Sequence, residues 1–424
     1  MDGGVDAWES RIAPDVGCRA NGAAAARGAI AAMHGIHMLR RGAHPIHGLP
    51  SEQPVANRLR EEFEALSRHA RRRQWIKLLR REMLIFATGQ ACLCVERAPP
   101  ATRTLLWLYT WETIGDAIMD LAPRLSLPGE VQVDLCIAAP LADLFRGDPR
   151  FRHIYTRLDD CCGNYDFILL HVLTTKALRA VARRFPKTPF ASMLGYAIGE
   201  QFDRVAFADA RLRSLFGLPP ASPPRPTLAL GAAIPSNGKR TEIAVALGFR
   251  DPRRRYTRWK QTLDRIIDAW PVALPPPLFR LLGSANAEGD LVDFDDAWLA
   301  AYGDNLVGRL GLRETATVLR DCDAFLGVDG GLMHIALAAD KPGLALFAII
   351  DPGLRVPPRS RLRTLYAGDR FEPLDSGRVA AAFIDAVCSP GMDAEIKPGE
   401  PIFPRFPDEE PERSSAPRPA AQYR

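Results

Sequence analysis

Short apolar runs alternate with amphipathic stretches over most of the chain. The pattern predicts strands over 104–109, 131–138, 166–172, 188–194, 242–248, 278–283, 305–311, 324–330 and 343–349. Helices are predicted between and after them, over 115–124, 140–146, 174–184, 257–269, 313–321, 331–339 and 376–388. Short apolar strands separated by helices are typical of parallel sheets covered by helices on both faces.

A proline-rich segment, PPASPPRP over 219–226, interrupts this alternation. Proline lacks an amide hydrogen, so the segment is expected to be a semi-rigid connection. We therefore predict two successive doubly wound α/β domains, over 101–240 and 241–390. A ligand of such domains is expected at the carboxyl ends of the strands, in the cleft between the two.

The ends of the chain differ from this core in composition. Residues 1–100 are predicted to hold a poorly ordered Gly-, Ala- and His-rich segment followed by a helical extension. Residues 391–424 are rich in Pro, Glu and Arg and are predicted to be a disordered tail. His34, His37, His44 and His47 form two HxxH pairs without supporting acids or cysteines, so a zinc site is not predicted there.

Apolar residues at three- and four-residue spacing predict one or two amphipathic helices over 57–86. They are Leu59, Phe63, Leu66 and Ala70, followed by Ile76, Leu79 and Met83. The stretch 71–81 is basic, with Arg71, Arg72, Arg73, Lys77, Arg80 and Arg81. One interpretation is a solvated helix that docks on the next domain through its apolar face. The other is a peripheral membrane contact, in which the basic side chains meet phosphate-bearing lipid.

The net charge of +5 favours an anionic ligand or a membrane-surface acceptor over a nucleic-acid partner. The longest clean apolar run, GLALFAII over 343–350, is too short to span a bilayer. The acidic N-terminus, with Asp2, Asp6 and Glu9, is unlike a secretory signal. Eight cysteines occur without a CxxC pair, which indicates reduced thiols. A cytoplasmic location is expected.

The most informative run covers residues 319–353, where a strand ends at Asp329 and a helix follows two glycines. Gly330 and Gly331 let backbone approach a ligand closely, because no Cβ intervenes. The new helix presents free amides and the positive end of its dipole, which suits a diphosphate. His334, one turn into the helix, is either a further donor to the phosphates or a packed helix histidine.

This run resembles the donor-domain signature of the heptosyltransferases, glycosyltransferase family nine. Members carry an Asp, a small residue, Gly, an apolar residue, any residue and His, then an Ala-rich helix that ends in Lys- or Arg-Pro. The helix from Leu312 and the Asp351–Pro352 pair are also in register. The resemblance implies the GT-B fold, in which two Rossmann-like domains face a cleft. It implies that the donor is held by Asp329, Gly330, Gly331, Leu332 and His334.

Two departures from the family concern the donor. Gly330 stands where members usually carry Thr or Ser, so a hydroxyl that could bond a phosphate is missing. Members also carry a Lys and an aromatic residue near the phosphates, and the counterpart here is RDPRRRYTRW, with Arg253, Arg254, Arg255 and Tyr256. Arg254 and Arg255 are the predicted donor contacts. Guanidinium binds phosphate strongly, so an arginine here could still perform the phosphate-binding role of the family Lys. The alternative is a solvated basic loop. Thr257 is the expected N-cap of the following helix.

The acceptor side is implied by YTWETIGDAIMD over 109–120, where Gly115 permits a tight turn before a helix. In the family the Asp of this Gly-Asp pair is the proposed general base, which implies that role for Asp116. The alternative is a helix N-terminal Asp favoured by the dipole. Thr113 belongs to the same acceptor-side loop. Members usually carry an Arg or Lys and one or two serines before the Gly, where this chain has Trp111, Glu112 and Thr113. Glu112 adds negative charge and is a weaker candidate base.

The resemblance implies an inverting, metal-independent transfer without a cofactor, probed by activity in excess EDTA. The usual donor is ADP-heptose, and the acceptor is a glycolipid such as lipopolysaccharide core. A branch of the family modifies autotransporter proteins, which leaves a protein acceptor open. Another alternative is a non-catalytic nucleotide-sugar or glycan-binding protein on the same fold. A nucleotide-sugar epimerase has no motif support.

Overall fold

The structure is a computed structural model that describes residues 65–194, 202–234, 238–248 and 251–388. Four predicted features lie outside these residues: the HxxH pairs, the poorly ordered segment at the N-terminus, residues 57–64 of the helical stretch predicted over 57–86, and the tail over 391–424. Cys18 also lies outside them. The seven described cysteines are free thiols.

The first lobe is built on a five-stranded parallel sheet in the order β3-β2-β1-β4-β5. Its strands are β1 (Thr104–Leu108), β2 (Gln132–Cys136), β3 (Phe151–Tyr155), β4 (Phe167–Leu170) and β5 (Phe190–Ser192). Its helices are α1 (Arg68–Ala87), α2 (Ile114–Asp120), α3 (Ala139–Phe145), α4 (Thr175–Arg184) and α5 (Arg204–Phe216). β4 is buried along its whole length, as expected of a parallel strand covered on both faces.

The second lobe is built on a six-stranded parallel sheet in the order β11-β10-β9-β6-β7-β8. Its strands are β6 (Thr241–Ala246), β7 (Pro277–Leu282), β8 (Gly303–Asn305), β9 (Ala324–Val328), β10 (Gly343–Phe347) and β11 (Leu362–Tyr366). Its helices are α6 (Trp259–Asp268), α7 (Asp296–Tyr302), α8 (Leu312–Asp321), α9 (Gly331–Ala338) and α10 (Ser376–Cys388). The predicted architecture of two doubly wound α/β lobes is confirmed.

Each sheet has a point at which the strand order reverses. In the first sheet β2 lies on one side of β1 and β4 lies on the other. In the second sheet β7 lies on one side of β6 and β9 lies on the other. Loops leave such a switch point in opposite directions and open a crevice for ligands at the carboxyl ends of the strands. The turn after β1 and the turn after β9, which carry the two predicted motifs, both lie at these points.

Several elements differ from the sequence-based expectation. β3, β11 and α5 were not predicted from the apolar pattern. The strand predicted over 305–311 is shorter and earlier, because β8 ends at Asn305 and a turn follows. α6 begins at Trp259 with Arg258 as its N-cap, so the assignment of Thr257 to that position is wrong.

The helical extension packs on the edge of the first sheet. Val95 donates its amide to the carbonyl of Phe190, and the amide of Phe190 donates to the carbonyl of Leu93, at 2.9 and 2.7 Å. Ile85, near the end of α1, is buried in the core cluster that covers one face of this sheet. The stretch from α1 to about residue 98 is therefore part of the first lobe, across the predicted boundary at residue 100. In the part of the chain that the structure describes, no helix combines the length and apolar character that crossing a bilayer requires.

A single core cluster joins the two lobes. It includes Leu105 and Leu135 of the first sheet together with Phe325 and Phe347 of the second. α2 of the first lobe packs directly on α9 of the second. This contact brings the two predicted motifs together.

Candidate functional site

The turns after β1 and β9 meet where α2 packs on α9. A Cβ added to Gly115 would overlap the ring of His334, with the ring Nε2 at 3.1 Å. A Cβ added to Gly331 would lie 2.8 Å from the Cβ of Ile114. Each glycine therefore allows a side chain of the opposite lobe to approach its backbone. Gly115 does so from inside α2, which begins at Ile114, so the prediction that it lies in a turn before the helix is wrong. The two turns lie close together where the lobes meet.

Arg254 binds the turn after β9, which the sequence predicted to hold the donor. Asp329 is buried, and its carboxylate accepts a hydrogen bond from the Nη2 of Arg254 at 2.5 Å. The same Nη2 lies 2.9 Å from the Asp329 carbonyl oxygen. Gly330 has an extended backbone with a φ of −165°, which any residue can adopt. Leu332, on the first turn of α9, is half-buried.

His334 is a buried, neutral imidazole. Burial lowers its pKa first, and the charges of Arg355, Arg204 and Arg254 lower it further, to about 3. Its Nε2 lies 3.9 Å from Asp329 Oδ1, beyond hydrogen-bonding distance. Three cationic side chains from three separate segments thus lower the pKa of one neutral ring, against the opposing charge of Asp120.

The two arginines predicted for the donor have different positions. Arg255 binds Asp290 Oδ1 through its Nε at 2.9 Å and its Nη2 at 2.6 Å. The other oxygen of Asp290 accepts the amide of Gly248 at 2.8 Å. Arg255 therefore holds the loop that follows β6, whereas Arg254 is the one that reaches the donor-side turn.

Asp116 lies in the first turn of α2, with its side chain 26% exposed. The hydroxyl of Thr113 donates to Asp116 Oδ2 at 2.6 Å. The guanidinium of Arg204 lies on its other side, with Nε 3.4 Å from Oδ1. The carboxylate is therefore oriented from both sides and keeps partial access to solvent. Glu112, on the preceding loop, is exposed.

A buried polar network holds α2 through Asp120. This network was not predicted from the sequence. Asp120, one turn after Asp116, accepts hydrogen bonds from His171 Nε2 at 2.8 Å and from Tyr109 Oη at 3.2 Å. Arg204 binds both of its oxygens, at 3.0 and 2.6 Å. Burial alone would raise the pKa of Asp120, but Arg204 and His171 outweigh it and lower the pKa to about 2. Asp120 is therefore a buried, charged carboxylate that four hydrogen bonds hold in place.

Aromatic side chains enclose this network. The His171 ring stacks on Tyr109 with centroids 4.1 Å apart and meets the edge of Trp111 at 4.7 Å. The guanidinium of Arg204 lies 4.9 Å from the centroid of Trp111. Trp111, one of the loop residues that depart from the family pattern, therefore packs on the arginine that orients Asp116.

Arg355 is a further residue that the sequence analysis did not predict. It follows the Asp351–Pro352 pair, and its Nη1 donates to the carbonyl of Phe202 at 2.9 Å. The bond crosses between the lobes and places a cation near His334. A sequence signal existed for His171, since it directly follows β4 at the ligand-binding end of the sheet. Arg204 had a weaker signal, the N-cap residue Asp203, whose side chain accepts the amide of Ala206.

Within the described residues, no group of three or more His, Cys, Asp or Glu side chains is arranged to hold a metal ion. Metal independence remains a prediction for experiment.

Comparison with known proteins gives a family match in the second lobe. Residues 280–371 match the model of glycosyltransferase family 9 (heptosyltransferase). This stretch contains the whole run from Asp329 to His334. No curated protein matches the chain.

Solved structures resemble the chain over both lobes. The E. coli ADP-heptose lipopolysaccharide heptosyltransferase II is 16% identical, with a TM-score of 0.51, over 68% of this chain and 99% of its own. A family 9 glycosyltransferase from Veillonella parvula is 12% identical, with a TM-score of 0.49, over 62% and 86%. The E. coli heptosyltransferase WaaC with ADP is 15% identical, with a TM-score of 0.47, over 68% and 98%. The predicted resemblance to the heptosyltransferases and the two-lobed fold are confirmed.

Proposed function

We propose that the protein is an inverting glycosyltransferase that takes a sugar from a nucleotide-diphosphate donor, ADP-heptose by resemblance. The acceptor in this proposal is a bacterial glycoconjugate such as lipopolysaccharide core. The observation that supports the proposal most directly is the contact of Gly115 with His334. It brings the loop of the proposed base and the proposed donor turn to one place, at the switch points of both sheets.

In the proposed reaction Asp116 accepts the proton of the acceptor hydroxyl as the hydroxyl oxygen attacks the anomeric carbon. The bond between that carbon and the diphosphate oxygen breaks, and the leaving diphosphate takes the negative charge. Arg254 and the first amides of α9, which have no partner within their own helix, stabilise that charge. The neutral His334 adds a hydrogen-bonding group to the phosphates. Asp329, Gly330, Gly331 and Leu332 form the rest of the donor turn.

The close contact between the lobes adds a conformational requirement. Gly115 and Gly331 each lie against a side chain of the opposite lobe, so a donor between the turns would have to separate α2 from α9. Rigid-body opening and closure of two lobes around a ligand is a common way to admit a substrate and then exclude water. We propose that the donor enters in this way.

The proposal includes no cofactor and no metal, because cationic side chains and a helix terminus lie where a divalent ion would otherwise neutralise the diphosphate. Activity in excess EDTA tests this part, and complete loss that a divalent ion restores would refute it. A cytoplasmic enzyme at the inner face of the membrane suits a glycolipid acceptor. A protein acceptor, as in the autotransporter branch, is the alternative for the same chemistry.

A non-catalytic nucleotide-sugar or glycan-binding protein is the second candidate. Gly330 lacks the hydroxyl that family members place beside the phosphates, and Glu112 adds negative charge to the acceptor loop. Both departures favour a site that binds without transferring.

One experiment separates the two candidates. The purified protein is screened by thermal shift against ADP-, GDP- and UDP-sugars, and donor turnover is then measured for Asp116→Asn. The enzyme proposal expects retained donor binding and a turnover that falls by about 10²–10⁴-fold. Asp159→Asn is the matched control, since Asp159 is an exposed carboxylate of the same lobe. A wild type that binds a nucleotide sugar but turns over none of them supports the binding protein.

A further inference from the structure

The exposed side of α1 carries a stripe of large apolar side chains. Ile76, Leu79, Met83 and Phe86 follow one another at steps of three, four and three residues, which places them on one side of a helix. Their exposed fractions are 47%, 51%, 61% and 54%. Scattered exposed apolar residues are ordinary, but four in one row along a helix form a contiguous patch.

The same helix docks on the lobe through a different side. Ile85 is buried, and Trp75 and Leu84 are half-buried against the core cluster of the first sheet. α1 packs on α4. The sequence predicted that Ile76, Leu79 and Met83 would dock on the lobe. In the structure these side chains are exposed to solvent.

The charges around the stripe are positive. Arg72, Arg73, Lys77 and Arg80 are exposed on α1, and Arg72 lies in line with the apolar stripe. The one carboxylate in α1, Glu82, is half-buried. An apolar row bordered by cations is the composition of helices that lie in the plane of a membrane surface.

We propose that α1 docks on an anionic lipid bilayer. Ile76, Leu79, Met83 and Phe86 enter the boundary between headgroups and acyl chains, and the exposed arginines meet the lipid phosphates. A second copy of this chain fits the surface less well, because a symmetric contact would set the same cations against each other. The inference does not depend on the proposed transfer reaction, although it would bring that reaction to a glycolipid acceptor.

The test is flotation of the full-length protein with vesicles of phosphatidylcholine, with and without phosphatidylglycerol. The wild type is expected to float with the anionic vesicles and to be released by salt. Leu79→Ser with Met83→Ser should weaken this binding by about tenfold or more. Arg72→Gln with Arg73→Gln and Arg80→Gln should also weaken it and reduce its dependence on salt.

Val292→Ser is the matched control, because Val292 is an apolar side chain that is 82% exposed in the second lobe. Its vesicle binding should equal that of the wild type. The substituted stripe residues are solvent-exposed, so unchanged far-UV circular dichroism is expected and checks that the variants fold.

Three results would overturn the inference. The first is a wild type that does not float with anionic vesicles at low salt. The second is a stripe variant that binds them as well as the wild type. The third is a wild-type dimer in light scattering that the stripe substitutions dissociate, without vesicle binding, which would make a second copy the occupant. None of these results involves a nucleotide sugar, so they leave the proposed transferase function to its own test.

Discussion

The turns before α2 and α9 are similar in construction and different in how they are held. Each follows a strand at the switch point of its sheet and opens a short helix that has a glycine in its first turn and touches the other lobe. The turn before α9 is fixed mainly by Arg254 on Asp329. The turn before α2 is held through α2 itself, which buried side chains from distant parts of the first lobe, Arg204 and His171, bind at Asp120.

The two carboxylates of α2, Asp116 and Asp120, have different surroundings. Asp120 is buried and accepts hydrogen bonds from Arg204, His171 and Tyr109, so its lone pairs are occupied. Asp116 has one donor, Thr113, and a more distant Arg204, and it retains access to solvent. A carboxylate that is oriented but not saturated can still receive a proton. Asp120 therefore anchors α2, and Asp116, the base in the proposed reaction, lies one helical turn before it.

The largest expected effect comes from breaking the anchor. Arg204→Met removes the cation that faces Asp120 and leaves a buried charge without its main partner. Such a loss costs about 3–5 kcal/mol of the free energy of unfolding, measured by urea denaturation. Arg363→Gln is the control, since Arg363 pairs with Asp385 where both side chains are exposed, at 43% and 61%. The control should change stability by less than about 1 kcal/mol. An Arg204→Met protein as stable as the wild type would show that the network does not hold the turn.

The next effect tests the contact between the turns. Gly115→Ala places a methyl group against the buried ring of His334 and should cost about 1–3 kcal/mol of unfolding free energy. Gly129→Ala, with no heavy atom within 4 Å of the added Cβ, should be close to neutral.

A double-mutant cycle with His334→Ala identifies the source of that cost. Once the ring is absent, the penalty of Gly115→Ala should shrink by most of its value. An equal penalty in both backgrounds would mean that the ring is not what the methyl group meets.

The smallest stability effect is a dependence on pH. The folded-state pKa of His334 is about 3, below the unfolded value of about 6.5. The neutral ring therefore contributes stability that is complete above the unfolded pKa and is lost as the pH falls towards the folded one. Between about pH 7 and about pH 5 the wild type should lose about 1–2 kcal/mol more than His334→Gln. His171, whose pKa is also lowered by burial, keeps part of the slope in both proteins. Equal slopes would contradict a neutral buried His334.

The two turns also differ in how much of their structure could be predicted from the sequence. The strand-turn-helix around Asp329 was predictable because Asp329, the glycines and His334 lie within six residues, and because the strand and helix around them have clear periodicity. Arg204 was out of reach, since it begins a helix that the apolar pattern did not predict and meets α2 only through the tertiary fold.

Side-chain exposure was predicted least well. The apolar row of α1 predicted a docking face, and the structure has that row in solvent, because Trp75, Leu84 and Ile85 supply the buried contacts instead. Periodicity shows which residues share a side of a helix, but not which of two apolar sides meets the core. β3 was missed for a related reason. As an edge strand it exposes Arg152 and His153, and it lacks the continuous apolar run of the central strands.

The central claim is that the turn at Asp329 binds a nucleotide diphosphate with Arg254. Calorimetric titration with ADP of the wild type, Arg254→Gln and Arg255→Gln tests it most directly. The account predicts binding to the wild type, a loss of affinity of about tenfold or more in Arg254→Gln, and little change in Arg255→Gln, whose arginine holds Asp290. Wild-type affinity in Arg254→Gln would contradict it.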